Sequence, residues 1–357
     1  MTAPRLEIRL DRIHHNARTL VDRLAARGIS VTGVTKATLG SPAVARELLR
    51  AGVTAIGESR IENIELMRRA GITAPMVLIR SPMISQTHRV VERADVSLNT
   101  ELAVIERLSQ WAKTIGVIHT IVLMVELGDL REGLLPGDLD AMVEATLRLP
   151  NLELGGIGTN LACQSGISPD DTNMGELSAL ANSLEATFDL KLAVVSGGNS
   201  ASIDWALGRA DTGRVNNLRL GESILLGREP LGRSPIDGLH TDAFTLVGEV
   251  IESKIKPTQA WGEIRETAFG PRSRDPDRGS TARAIVALGR QDADPAGIHG
   301  PAGIEIVGAS SDHLIVDAGS ALPPVGSELR FQLNYGALLA AMTSPFVAKV
   351  FTAGDRT

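Results

Sequence analysis

Hydrophobic and polar positions follow a repeating two-part pattern from residue 31 to residue 220. Short, continuously apolar runs alternate with longer segments in which apolar residues recur every three or four positions. Continuous apolar runs are typical of parallel strands covered on both faces, and the longer period predicts amphipathic helices between them. The predicted strands are 31–35, 54–57, 76–79, 96–98, 120–126, 154–159, 193–196 and 215–220. The predicted helices are 42–51, 60–70, 85–93, 100–114, 138–149 and 170–187.

An amphipathic helix precedes the first of these strands. Its apolar positions lie between Ile13 and Leu24, Asp11 is the candidate N-cap, and Gly28 ends it. With this helix ahead of eight strand–helix units, we predict a TIM-type (β/α)8 barrel. A doubly wound open sheet is the alternative arrangement of the same elements.

The pattern changes near Pro235. Strands without long helices between them are predicted at 244–253, 282–288, 303–307, 314–316 and 328–334. We therefore predict a barrel domain over residues 1–235 and a smaller β-rich domain over residues 236–357. Two stretches rich in proline, glycine and charge, 270–279 and 291–302, are predicted to be solvated loops.

Composition narrows the class of protein. The 357 residues are 43% hydrophobic, as in a soluble globular protein, and 36 Lys+Arg against 42 Asp+Glu argue against nucleic-acid binding. Cys163 is the only cysteine, which excludes an internal disulfide and a multi-cysteine zinc site; no metal site is predicted. No apolar run approaches the roughly 18 residues that span a membrane, and residues 1–9 lack a signal-peptide core. We expect a cytoplasmic protein without a membrane partner.

Lys36 follows the first predicted barrel strand. Partial burial disfavours the ammonium form of a lysine and supplies the free amine that reacts with an aldehyde. Catalytic groups of TIM barrels also lie at the carboxyl ends of the strands. On these features alone, a lysine that merely extends from a strand end into solvent is the somewhat favoured alternative.

Two glycine-containing loops follow the seventh and eighth predicted strands. Residues 196–202 combine glycines with Asn199 and Ser200, and a short helix follows; residues 219–223 contain Gly221. These are the two loops in which TIM barrels repeatedly bind phosphate. Tight turns are the alternative for either loop taken alone.

A reactive lysine opposite a phosphate site suggests pyridoxal 5'-phosphate. Arg219, at the end of the eighth predicted strand, would then face the pyridine nitrogen. Because arginine stays charged, it cannot accept a proton from that nitrogen, and the ring becomes a weaker electron sink. Such a ring suits rapid proton removal and return at Cα. A structural ion pair is an equally good explanation of Arg219 at this stage.

These residues resemble motifs of the alanine-racemase-like (fold type III) pyridoxal-phosphate enzymes, most of all the ornithine racemase branch. The resemblance covers nearly the whole chain and includes segments 34–37, 197–201 and 218–221. It implies that Lys36 binds the cofactor and carries a substrate proton, that Arg219 meets the pyridine nitrogen, and that other residues hold the cofactor. Those others are Asn199, Ser200, Tyr335, Asn160 and the backbone amides of Gly221 and Glu222.

The resemblance also implies a homodimer with shared active sites and an amino-acid substrate. Segment 312–317 resembles the loop that faces the substrate of the partner subunit, which makes Asp312 a substrate-binding candidate. Arg131 resembles an arginine near the substrate carboxylate. The implied activity is racemisation of an amino acid, ornithine or another small or basic one.

Two departures from the family pattern affect the second proton carrier. Residues 38–40 lack the tyrosine that alanine racemases place after the cofactor lysine, and Arg290 replaces their catalytic tyrosine. Arginine is a poor general base but a good carboxylate ligand. His313 is the candidate second carrier, since imidazole exchanges protons near neutral pH. Cys163 is a weaker candidate.

Other functions on the same cofactor remain open at this stage. Non-enzymatic carriers of pyridoxal phosphate are single-domain barrels similar to residues 1–235. The additional β-rich domain of this chain therefore argues against a carrier function. A lyase such as a D-threonine-type aldolase, or a decarboxylase, is expected to carry a cysteine in that domain. The sequence has none there.

Overall fold

The computed structural model describes residues 3–209, 211–270, 277–319 and 321–353. The chain divides into two compact units. The barrel unit is Asp11–Thr241, and the β unit comprises the described residues of Met1–Leu10 and Asp242–Thr357.

Strands and helices follow in chain order. The strands are β1 (Arg5–Arg9), β2 (Ser30–Val34), β3 (Ala55–Glu58), β4 (Met76–Leu78), β5 (Val96–Asn99), β6 (His119–Val125), β7 (Leu152–Thr159), β8 (Val194–Ser196), β9 (Asn217–Leu220), β10 (Phe244–Pro257), β11 (Ser280–Val286), β12 (Ile298–His299), β13 (Glu305–Ala309), β14 (Leu314–Asp317), β15 (Glu328–Leu333) and β16 (Ala348–Thr352). The helices are α1 (Leu10–Ala25), α2 (Pro42–Arg50), α3 (Ile61–Arg69), α4 (Thr87–Arg93), α5 (Leu102–Ile115), α6 (Leu139–Leu147), α7 (Asp171–Phe188), α8 (Ile203–Leu207), α9 (Glu222–Leu226) and α10 (Tyr335–Thr343). Short 3-10 turns cover Lys36–Thr38, Ile84–Gln86, Pro136–Asp138, Ser200–Ser202 and Pro295–Gly297.

The strands β2 to β9 form a closed parallel barrel within the described residues. The barrel closes where β2 pairs with β9, with Thr32 opposite Arg219 and Gly33 opposite Leu220. Part of the interior is a cluster of Leu98, Val122 and Met124. The predicted barrel is therefore confirmed, and the open-sheet alternative is wrong.

The start of α7 is fixed by a side-chain cap. Asp170 accepts hydrogen bonds from the Thr172 and Asn173 amides, both at 2.9 Å, and so caps α7. The prediction that Asp11 caps α1 is wrong. The helix begins at Leu10, directly after β1, so Asp11 lies in its first turn.

The β unit is an antiparallel sheet in the order β12-β15-β10-β11-β14-β13. The strand β1 joins it, antiparallel to β10 and parallel to β16. Residues 1–10 were predicted to belong to the barrel domain, but Leu6 and Ile8 are both fully buried and β1 hydrogen-bonds within this sheet. The unit boundary accordingly lies at Asp242 rather than at residue 236.

The two predicted loops of the β-rich domain differ in outcome. Segment 291–302 contains a 3-10 turn, Pro295–Gly297, and the strand β12, so it is more ordered than predicted. Of segment 270–279, residues 271–276 lie outside the described residues. Along the ranges that the structure describes, no helix has the length and apolarity needed to cross a membrane.

Candidate active site

Lys36 lies at the carboxyl end of the barrel, in the turn after β2. It is half-buried. The neighbouring strand β9 ends at Leu220, and Gly221 then passes so close to β2 that an added Cβ would lie 3.2 Å from Val34 Cβ. Barrel closure therefore brings the lysine turn and the loop after β9 to the same part of the barrel rim.

The loops after β8 and β9 meet around the Ser200 hydroxyl. Its oxygen accepts hydrogen bonds from the Gly221 amide (3.3 Å), the Ser223 amide (3.2 Å) and the Ser223 hydroxyl (3.0 Å). Gly198 has φ +110°, and a Cβ there would lie 2.9 Å from Ser202 Oγ. Two amides and one hydroxyl of the loop after β9 thus converge on one oxygen of the loop after β8.

Arg219 is a buried cation, only 5% exposed. Its guanidinium donates to Ser196 Oγ at 2.6 Å, the Thr159 carbonyl oxygen at 2.8 Å and Asn160 Oδ1 at 3.4 Å. Burial lowers the pKa of Arg219 to about 10, and Glu132 opposes this in part. The residue stays charged at neutral pH while neutral oxygens accept its hydrogen bonds.

Asn199, in the loop after β8, hydrogen-bonds to the loop after β7, where Asn160 also accepts from Arg219. Its Nδ2 donates to Asn160 Oδ1 at 3.2 Å and to the Leu161 carbonyl oxygen at 2.8 Å, and it lies 3.4 Å from Cys163 Sγ. Asn160 Oδ1 therefore accepts from both Asn199 and Arg219. Asn160 Nδ2 is buried, without a hydrogen-bond partner among the described residues.

Arg131 lies in the loop between β6 and α6. Its amide donates to Glu126 Oε2 at 3.2 Å, and its guanidinium pairs with Glu132 at 3.1 Å. Both Arg131 and Glu132 act on the pKa of Arg219, so the three charged groups lie within electrostatic range.

Asp129 fixes the shape of this part of the rim. It is fully buried, and its carboxylate accepts hydrogen bonds from the amides of Cys163 (3.1 Å), Gln164 (3.0 Å) and Ser165 (3.0 Å). One carboxylate thus holds three consecutive amides of the loop after β7. No role was predicted for Asp129 from the sequence.

Glu58 is a second buried carboxylate, at the end of β3. It accepts from the Thr35 hydroxyl at 3.1 Å and from the Ser59 amide at 2.7 Å. Burial raises the pKa of Glu58, and these hydrogen bonds oppose the shift. Because Thr35 immediately precedes Lys36, Glu58 braces the backbone that carries the lysine.

Three of the predicted substrate-facing residues lie together in the β unit. The Arg290 amide donates to the Ser310 carbonyl oxygen at 2.9 Å, which joins the loop after β11 to the loop between β13 and β14. That second loop carries Asp312 and His313, both exposed. The Arg290 guanidinium stacks on Phe269, 4.6 Å from the ring centroid.

Tyr335 is the first residue of α10 in the β unit. It is half-buried, and Asn334 caps the helix by accepting from the Ala337 amide at 2.9 Å. The role predicted for Tyr335 at a phosphate stays a prediction.

No specific role was predicted for four residues of the barrel site. They are Ser196, Ser223, Glu58 and Asp129. Ser196 and Ser223 lie within the two predicted loop segments, 196–202 and 219–223. Glu58 and Asp129 follow predicted strands, but nothing in the sequence separates a buried loop acid from a solvated one.

Comparison with known proteins identifies the family. The family model described as the alanine racemase N-terminal domain matches residues 8–229. The chain belongs to the alanine racemase family. An ornithine racemase from Acetoanaerobium sticklandii is 37% identical over 97% of this chain and 99% of its own length. A lysine racemase from Thermotoga maritima is 38% identical over 98% of this chain and 99% of its own length.

Solved structures of this family share the fold. An alanine racemase from Streptomyces coelicolor A3(2) superposes with a TM-score of 0.77 at 20% identity, covering 98% of this chain and 97% of the other. The predicted enzyme class, an amino-acid racemase, is confirmed, and the carrier and lyase alternatives are not favoured. Alanine racemases and their relatives depend on pyridoxal phosphate.

Proposed function

We propose that this protein uses pyridoxal phosphate to racemise a basic amino acid, ornithine or lysine. The nearly full-length similarity to an ornithine racemase and a lysine racemase supports the substrate class. One structural observation carries the proposal for the cofactor. Closure of the barrel between β2 and β9 brings Lys36, the buried Arg219 and the donors around Ser200 to one end of the barrel unit.

The residues present fit this cofactor. The donors around Ser200 Oγ suit a phosphate, and at Gly221 an added Cβ would lie only 3.2 Å from Val34 Cβ, so a larger residue would have to displace its neighbour. Asn160 Nδ2 is a buried donor that still lacks an acceptor among the described residues, beside the Arg219 guanidinium. An aromatic ring with a polar edge would supply one.

Lys36 would bind the aldehyde group of the cofactor. The phosphate group of the cofactor would be held by Ser200, Asn199 and the amides of Gly221 and Glu222. When bound, the cofactor withdraws electrons from the substrate Cα and so acidifies the Cα proton. Arg219 faces the pyridine nitrogen in this proposal. It cannot take up a proton there, because guanidinium has no acceptor site.

Racemisation needs a proton carrier on each face of Cα. We assign one face to the Lys36 amine and the other to the His313 imidazole. Arg131 and Arg290 are the proposed ligands of the substrate carboxylate, because guanidinium binds carboxylates through two parallel hydrogen bonds. Asp312, on the same exposed loop as His313, is the proposed partner of a cationic group of the substrate.

The assembly and location in this proposal follow the family resemblance. A homodimer in which the loop with His313 serves the partner's site is the expected form, and Tyr335 is the proposed phosphate-binding tyrosine. The cytoplasm is the expected location, since the sequence has a single cysteine and it is not in a disulfide.

The proposal is tested by incubating the purified protein, loaded with pyridoxal phosphate, with single enantiomers in deuterium oxide. L-Ornithine, L-lysine and L-alanine are compared by chiral chromatography and mass spectrometry. We expect the D-enantiomer, deuterated at Cα, to form from ornithine or lysine at least tenfold faster than from alanine. Carbon dioxide, an aldehyde product, or no exchange with any of the three would contradict the proposal.

A further inference from the structure

Glu222 is an unexpected residue at a phosphate site. It lies between Gly221 and Ser223, whose amides both donate to Ser200 Oγ, at 3.3 and 3.2 Å. Its carboxyl is joined to this backbone by only a few bonds. A carboxylate this near to a bound phosphate dianion repels it, so the site needs a means of cancelling the charge.

Arg233 is the cation placed to do so. Its guanidinium forms an ion pair with the Glu222 carboxylate. The Arg233 side chain is 60% exposed, whereas that of Glu222 is 16% exposed. The ion pair therefore joins an exposed arginine to a carboxylate that is largely shielded from solvent.

The loop that carries Arg233 is built to hold this position. Arg233 has φ +62°, in the left-handed region that non-glycine residues seldom adopt. Glu229, only 8% exposed, accepts hydrogen bonds from the amides of Leu231 (2.7 Å), Gly232 (2.8 Å) and Ser234 (2.7 Å). Three hydrogen bonds to one buried carboxylate maintain this strained backbone conformation. The strain points to a specific placement of the arginine.

Charged neighbours act on Glu222. Burial raises the pKa of the Glu222 carboxyl, Arg233 and Lys36 lower it, and Glu229 adds to the increase. Arg233 is the neighbour that also hydrogen-bonds to the carboxylate. Removing Arg233 would leave the Glu222 carboxylate uncompensated near the donors around Ser200, where it would repel a phosphate.

We propose that Arg233 is a positioning residue for the cofactor, which neutralises Glu222 so that the cradle around Ser200 accepts a phosphate dianion. This inference rests on the proposed function, because the phosphate is that of the cofactor. It assigns Arg233 no contact with substrate. The effect should therefore appear in cofactor binding rather than in the chemistry at Cα.

A double-mutant cycle tests this directly. Arg233→Gln, Glu222→Gln and the double variant are titrated with pyridoxal phosphate and with pyridoxal, which lacks the phosphate, and binding is followed by absorbance. We expect Arg233→Gln to weaken binding of pyridoxal phosphate about tenfold, the order expected for one uncompensated charge in a partly screened site. The double variant should return to within about threefold of wild type, and pyridoxal should bind all four proteins alike.

Arg148→Gln is the matched control. It breaks another exposed Arg–Glu pair of the barrel unit, with Glu144 on α6, and changes the net charge by the same amount. It should leave both affinities unchanged.

Three results would overturn the inference. They are wild-type affinity in Arg233→Gln, a double variant as weak as Arg233→Gln, and an equal loss of pyridoxal binding. A wild-type protein that binds no pyridoxal phosphate would instead refute the proposed function itself, and this inference with it.

Discussion

Arg219 Nη1 donates a 2.6 Å hydrogen bond to Ser196 Oγ, which links β9 to β8 inside the barrel. The same guanidinium donates to the carbonyl oxygen of Thr159, at the end of β7. One buried side chain thus joins three consecutive strands beneath the loops after β8 and β9. The candidate site is therefore mounted on three strands that one buried side chain connects, as a precisely oriented site requires.

Gly198 should be intolerant of a side chain. Its φ of +110° is unfavourable for any other residue, and an added Cβ would lie 2.9 Å from Ser202 Oγ. We expect Gly198→Ala to lower the free energy of unfolding by about 1–3 kcal/mol. It should also weaken binding of pyridoxal phosphate, because it displaces the loop that carries Ser200. Urea unfolding and absorbance titration measure the two effects.

Gly175→Ala is the control for this prediction. Gly175 is exposed within α7, and a Cβ there meets nothing within 4 Å. The substitution should stabilise the protein by about 0.5–1 kcal/mol, because alanine is the better helix former. Equal effects of the two substitutions would show that the conformation of Gly198 is not constrained.

His119 should make the protein acid-sensitive. It is 2% exposed on β6, with Ser97 Oγ 2.9 Å from its Nε2, and burial lowers its pKa to about 4 from 6.5. The unfolded state then binds the proton more tightly, so the stabilising contribution is complete above pH 6.5 and is lost as the pH falls to 4. The loss amounts to about 3 kcal/mol between pH 7 and pH 4.

His119→Gln isolates this contribution. Urea unfolding of the variant and the wild type at pH 7 and pH 4 should show the smaller decrease in the variant. Parallel decreases in the two proteins would mean that acid sensitivity arises elsewhere.

The barrel was predictable from the sequence because its strands are short apolar runs in regular alternation with helices. The strand β1 was not predicted, although Arg5–Arg9 alternates apolar with charged residues, which is typical of a half-buried strand. Its partners, β10 and β16, lie more than 200 positions away in sequence, and pairing at such separation leaves no local pattern. It depends on burial of Leu6 and Ile8, which only the folded sheet reveals.

The candidate site was predictable where its residues stand in motifs. Lys36 was found because it follows a predicted strand, Arg219 because it lies at the end of one, and Ser200 because Gly197 and Gly198 precede it in the same loop. No specific role was predicted for Glu58 or Asp129. Each acts by accepting hydrogen bonds from backbone amides, and that function imposes no spacing on the sequence.

His313 is expected to carry the proton on the face of Cα opposite Lys36. His313→Asn should lower racemisation about 100-fold in both directions, because inversion requires both carriers. Exchange of the Cα proton with deuterium, without inversion, should persist for the enantiomer that Lys36 deprotonates. Mass spectrometry combined with chiral chromatography distinguishes the two.

Unaltered activity of this variant would assign the second proton carrier to another residue. Unchanged racemisation by His313→Asn would exclude this histidine as a proton carrier. Cys163, which lies near Asn199 in the barrel unit, would then be the next residue to replace, with serine.

Trapping the cofactor on its lysine tests the central claim most directly. The protein loaded with pyridoxal phosphate is treated with borohydride, digested and mapped by mass spectrometry, in parallel with Lys36→Ala. We predict that the reduced cofactor is found on the peptide containing Lys36, and that Lys36→Ala retains neither label nor racemase activity. A label on any other lysine, or full turnover by Lys36→Ala, would contradict the account.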